Sequence, residues 1–175
     1  MKNKNVERIN HFTREIAESH FLDCCGSRKW AQKMTEARPF VDDAELIKKA
    51  EKICQNLKAE DWLEAFAAHP KIGAKKAAPL QQAQSATWSK GEQAGANMAT
   101  ETVLDALAEA NRLYEEKFGF IFIVCATGKS AEEMLEICRA RLSNASETEI
   151  QIAADEQRKI TEIRLKKLLE STTLP

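Results

Sequence analysis

Gly119-Phe120-Ile121-Phe122-Ile123-Val124-Cys125-Ala126-Thr127-Gly128 is the one stretch of this chain that reads as β-structure. Its β-branched and aromatic residues, bounded by glycines, suit a buried strand. A strand needs a neighbour to satisfy its backbone, and no second run of this type occurs in the 175 residues. The segment therefore reads as a lone extended piece threaded through a helical core. Its backbone donors and acceptors are left for something else, which makes it a candidate ligand-binding backbone; the alternative is an ordinary buried helix start. The fold class is all-α, a single compact helical domain over 1–175 with one short extended segment around 120–126.

Helical spacing dominates on both sides of this run. Val6, Ile9, Phe12, Ile16 and Phe21 predict a first helix reaching the Asp23–Gly26 region. Asp42-Asp43-Ala44-Glu45 is the acidic start of another, with Leu46, Ala50, Ile53 and Leu57 in phase, and Pro39 marks the connection before it. Trp62, Leu63 and Phe66 lie on one side of a third helix. The Lys-, Ala- and Gln-rich stretch from Ile72 to Gln84, with Pro79 inside it, predicts a loop or short helical turns. Helices follow over Thr100–Lys117, Ala131–Leu142 and Ser146–Leu169.

Composition narrows the function classes. Lys+Arg 26 against Asp+Glu 27 leaves a net charge of −1, with no positive excess for nucleic acid or an anionic membrane. The N-terminus is polar, and the apolar run Phe120–Ala126 is far too short to cross a bilayer. A soluble, cytoplasmic protein is expected. Five cysteines (24, 25, 54, 125, 138) form no CxxC pair and three histidines (11, 20, 69) no ligand pattern, so no metal site is expected and the thiols read as buried and reduced.

Four local features carry chemistry. Pro70 forces His69 out of the α region, so the preceding helix closes at or just before the histidine. There the negative end of the helix dipole favours a protonated imidazole, a candidate general acid; a surface histidine at a helix end is the plain alternative. On the last helix, projected at 100° per residue, Ala153, Gln157, Ile160, Ile163, Arg164 and Leu168 share a face. Arg164 then needs an anion or several acceptors, either a substrate's or those of an internal salt bridge. Asn111 lies on the apolar face of its helix, where an amide that caps a neighbouring helix or fixes a loop is the expectation. Ser89-Lys90-Gly91-Glu92-Gln93 has capping-box spacing, and taken alone it reads as a helix start. Gly91 would be a poor first-turn residue, and the small residues Ala94, Gly95 and Ala96 would let a backbone approach a ligand closely.

Together these fragments resemble the OHCU decarboxylase family, that is, 2-oxo-4-hydroxy-4-carboxy-5-ureidoimidazoline decarboxylase of the urate-to-allantoin pathway. The motifs are His69-Pro70 followed by a glycine, then Ser89-x-x-Glu92-Gln93. Next come Asn111-x-x-Tyr114-x-x-x-Phe118-Gly119-Phe120 running into Phe122–Ala126, and Lys159-Ile160 with Arg164-Leu165. The resemblance implies an all-helical homodimer and a reaction needing no cofactor. It makes His69 and Glu92 the catalytic pair. Pro70, Ser89, Gln93, Arg164 and the segment Phe122, Ile123, Val124, Cys125 and Ala126 become substrate-binding. Ser27-Arg28-Lys29-Trp30 departs from the Ser-Pro-Trp of many members. The end, Thr172-Thr173-Leu174-Pro175, lacks a Ser-Lys-Leu-type address, which favours a cytoplasmic, bacterial-type member.

The implied substrate carries a carboxylate and a hydroxyl on one ring carbon beside a C=N that can accept the electrons left by CO2, so the substrate is its own electron sink. Two rivals rank lower. A non-catalytic helical interaction module gives no reason to bury Arg164. A helix-turn-helix regulator needs a basic face, whereas Arg158–Lys167 alternates with acids.

Overall fold

The computed structural model describes residues 4–73 and 82–171. Among these residues the regular elements are all helices, and there is no strand. It divides into two compact units, one formed by the chain up to Glu64 and from Arg158 onward, the other by Ala65–Gln157. The boundaries fall within two helices, α5 (Ala59–Ala67) and α9 (Ser146–Glu170).

The terminal unit contains α1 (Lys4–His11), α2 (Arg14–Cys25), α3 (Arg28–Glu36) and α4 (Asp43–Cys54). Helix α2 packs on α3, and α4 takes both α3 and α1. Phe21, Trp30, Met34 and Leu46 are fully buried here, with the Phe21 and Trp30 rings edge to face at 6.0 Å. The single first helix predicted from Val6 to Phe21 is two helices. Thr13 separates them, its hydroxyl accepting from the Ile16 amide at 3.3 Å to cap α2. The apolar spacing runs in phase across this break and hides it. Helix α3 was not anticipated. It starts at the departure from the family pattern, where Ser27 caps Trp30 and the Arg28 amide donates to Glu64 at 3.0 Å. A proline at position 28 would lack that amide hydrogen.

The middle unit holds α6 (Ala83–Glu92), a 3-10 helix (Ala94–Met98), α7 (Glu101–Phe118) and α8 (Ala131–Arg141). Helices α7 and α8 pack together, and the 3-10 helix touches both α6 and α8. Helix α7 begins on Thr100 as its cap and ends at Gly119, whose φ of 77° only glycine adopts without strain. Asn111 donates to the Leu107 carbonyl of its own helix at 3.0 Å instead of capping a neighbour. Of the predicted loop from Ile72 to Gln84, residues 74–81 lie outside the described residues, while Ala83 and Gln84 already belong to α6. On α5, Trp62 and Phe66 are buried as expected, but Leu63 is 40% exposed. All five cysteines are free and buried.

Candidate active site

Residues Ile121–Ala126 belong to no helix, strand or turn, and Phe122 to Ala126 are all buried. Phe122, Val124 and Ala126 alternate into an apolar cluster with Leu107, Tyr114, Met134 and Cys138, the period of two that extended backbone imposes. The segment survives without a sheet because charged side chains take its backbone groups. The Glu156 carboxylate accepts from the Cys125 amide at 2.7 Å, and Arg141 donates to the Ile123 carbonyl at 2.7 Å. The Lys129 ammonium donates to the Cys125 carbonyl at 2.8 Å. Those groups were expected to await a ligand; the protein supplies partners for several of them.

Arg141 is itself held. Its Nε donates to the fully buried Glu149 at 2.6 Å, and its guanidinium lies 4.8 Å from the Phe122 ring centroid. Tyr114 donates to the same carboxylate. Burial and that carboxylate push the Tyr114 hydroxyl well above the usual phenol range. Breaking such a buried pair costs about 3–5 kcal/mol, so the segment rests on a stiff support.

Helix α5 closes two residues before His69, whose amide donates to Phe66 at 3.1 Å. Phe66 is fully buried, its ring 5.2 Å from that of Phe120, which ties the end of α5 to the start of the extended segment. His69 and Pro70 are half-buried. His69 Nε2 lies 2.7 Å from Oε1 of Gln157, a fully buried residue of α9.

Ser89 and Glu92 occupy the last turn of α6, not the first. The capping-box reading is therefore wrong. The buried face of this helix is Ser85, Ser89 and Glu92, so no apolar periodicity announced it. Glu92, 9% exposed, is a carboxylate both desolvated and at the negative end of its helix. Gln93 follows, and its Oε1 accepts from the Gly73 amide at 3.3 Å. Gly95 does not make room for a ligand: a Cβ there would collide with the Lys129 carbonyl.

Three hydrogen bonds link these segments in a chain. His69 meets Gln157, and neighbouring Glu156 holds Cys125. The Cys125 thiol is pushed up by burial, eased by Lys129 and raised further by Glu156 and by Glu92, so it is no nucleophile at neutral pH. Gln93, next to Glu92, returns to Gly73, four residues beyond His69. The middle unit contains His69, Pro70, Ser89, Glu92, Gln93 and the 122–126 segment. Arg164 belongs to the terminal unit. It is 2% exposed, as its helical stripe predicted, and donates to the Asp23 carbonyl at 3.2 Å. Sequence reading missed Gln157 and Glu156 as site residues, although Gln157 lay on the stripe that exposed Arg164. Arg141 and Glu149 gave no periodic signal, because they sit near the end of one helix and the start of the next.

An imidazole, a buried carboxylate and a primary amide are groups that can move protons and bind a polar heterocycle. Among the described residues, no three His, Cys, Asp or Glu side chains group to hold a metal, and no helix is long and apolar enough to cross a membrane.

The OHCU decarboxylase family profile matches residues 10–166. The "Uric acid degradation bifunctional protein TTL" of Arabidopsis thaliana is 41% identical over 88% of this chain. The chain spans only 48% of that relative and 31% of a "Uric acid degradation bifunctional protein" of Bacillus sp. strain TB-90. A 2-oxo-4-hydroxy-4-carboxy-5-ureidoimidazoline decarboxylase of Amia calva is 30% identical over 80% of this chain and 79% of its own. A crystal structure of OHCU decarboxylase in the presence of (S)-allantoin superposes with a TM-score of 0.76 at 38% identity, covering 91% of this chain and all of that one.

Proposed function

The chain belongs to the OHCU decarboxylase family, and from that premise we propose that it converts 2-oxo-4-hydroxy-4-carboxy-5-ureidoimidazoline to (S)-allantoin without a cofactor. The single observation that carries this reading is the chain of three hydrogen bonds, Gly73 to Gln93, His69 to Gln157 and Cys125 to Glu156, that links the His69, Glu92–Gln93 and 122–126 segments to α9. Four segments distant in sequence converge there, and they include both residues of the implied catalytic pair.

In this reading the substrate's carboxylate leaves as CO2 and the bonding pair moves into the adjacent C=N. His69 then delivers a proton to one face of the product carbon, and Glu92 holds either the substrate hydroxyl or the imidazole. Gln93 has its amide oxygen engaged by Gly73, so its NH2 group serves as donor to a ring or ureido carbonyl. Ser89, Pro70 and the backbone of Phe122–Ala126 complete the grip on the heterocycle, with the Cys125 amide already committed to Glu156. Arg164 binds substrate through its planar fork. Arg164→Lys then raises KM tenfold or more with little change in melting temperature, since a point charge cannot reproduce that fork. A large fall in melting temperature with normal kinetics would give Arg164 a purely internal role.

The protein works as one domain over 1–175, as a cytoplasmic homodimer, on a small molecule and not on nucleic acid or membrane. A helical interaction module offers no reason to bury Glu92 and Ser89 on one face of α6. The test is a coupled assay with freshly generated substrate, following the circular dichroism of allantoin as it forms. The enzyme accelerates formation of the S enantiomer; a rate equal to the spontaneous one overturns the reading.

A further inference from the structure

We infer that Gln157 is a positioning residue that holds His69 as its Nε2–H tautomer, leaving Nδ1 as the nitrogen that takes and gives the proton. The inference deepens the decarboxylase reading and rests on it for the word catalysis, but not for the tautomer. Gln157 is fully buried on α9, on the same stripe as Ala153 and Ile160, and its Oε1 faces His69 Nε2 at 2.7 Å. An amide oxygen has no hydrogen to offer, so the nitrogen facing it must carry one. The same contact suits the imidazolium, which bears hydrogen on both nitrogens, and the end of α5 favours that charged form. Gln157 can therefore keep one hydrogen bond through the whole cycle.

The balance of the step follows. The C–C bond to the carboxylate breaks and CO2 leaves; the bonding pair becomes a C=C bond to the neighbouring carbon, the C=N pair moves onto nitrogen, and that nitrogen takes the proton of the hydroxyl, leaving an enolate. The C=C pair of that enolate then takes the Nδ1 proton of the imidazolium at the carbon that was part of the C=N, and the carbon that lost CO2 becomes the carbonyl. What remains is neutral imidazole with hydrogen on Nε2, still bonded to Gln157. A rigid buried side chain fixes the ring plane that this transfer needs.

The direct test is 15N NMR of the resting wild-type protein labelled at histidine, with His69 assigned by its loss in His69→Asn among three histidines. At a pH where the ring is neutral, the prediction is a proton-bearing Nε2 and an unprotonated Nδ1; the opposite tautomer overturns the proposal. This measurement needs no turnover, so a protein inactive on OHCU would defeat the decarboxylase reading and leave the tautomer result standing. In kinetics, Gln157→Met keeps the length but lacks the acceptor and lowers kcat on the order of 10²-fold with KM nearly unchanged. Gln157→Glu restores an acceptor and keeps more of kcat. Equal losses in the two variants, or a loss confined to KM, would also overturn it.

Discussion

Ser-x-x-Glu occurs in the middle unit at Ser89–Glu92 and again at Ser130–Glu133, with opposite surroundings. Ser130 starts α8: its hydroxyl accepts from the Glu133 amide at 3.2 Å while Glu133 accepts from the Ser130 amide at 2.7 Å. That glutamate is exposed and lies at the positive end of its helix, where a carboxylate is welcome. Ser89 and Glu92 end α6, turned inward, at the end where a carboxylate is unwelcome. The two motifs are neighbours, since Gly95 of the 3-10 helix abuts the Lys129 carbonyl just before Ser130. One spacing thus serves local stability where it begins a helix. Where it ends one in the interior, it places a buried carboxylate at the negative end of a helix.

The comparison yields graded effects. Glu92→Gln keeps the shape, removes the charge, and lowers turnover on the order of 10²-fold or more with the melting temperature preserved. Steady-state kinetics beside a thermal melt checks it, and unchanged turnover would return Glu92 to a structural role. Between the motifs, Gly95→Ala forces a Cβ against backbone and destabilises by ~1–3 kcal/mol. Gly91→Ala, with nothing within 4 Å of the added carbon, stabilises α6 by up to ~1 kcal/mol. Urea titration of both variants reads the opposite signs, and the same sign in both would break the packing account. Smallest is Glu133→Ala, which costs no more than ~1 kcal/mol and leaves turnover alone. A turnover loss there would erase the distinction between the two motifs.

What the sequence disclosed, and what it hid, follow from one cause. Helices α4 and α7 were legible because Asp42 and Thr100 cap them and their apolar residues face the core in phase. The break at Thr13 was not, since Phe12 and Ile16 keep helical spacing across it. Helix α6 was illegible for the opposite reason, as its buried face is polar. His69 was visible through Pro70, and Arg164 through the stripe it interrupts. Gln157 stood on that stripe unremarked, because a buried amide signals only a need for partners and not which partner. The charged supports of the extended segment, Glu156, Lys129 and Arg141, come from distant or exposed-looking positions that no local pattern marks.

The central claim is that His69 and Glu92 act as one unit in proton transfer. A double-mutant cycle on His69→Asn and Glu92→Gln, read as kcat for allantoin formation, tests it most directly. If the two residues act together, the double variant turns over barely more slowly than His69→Asn alone. Losses that simply multiply, each residue contributing its full factor in the absence of the other, would contradict it.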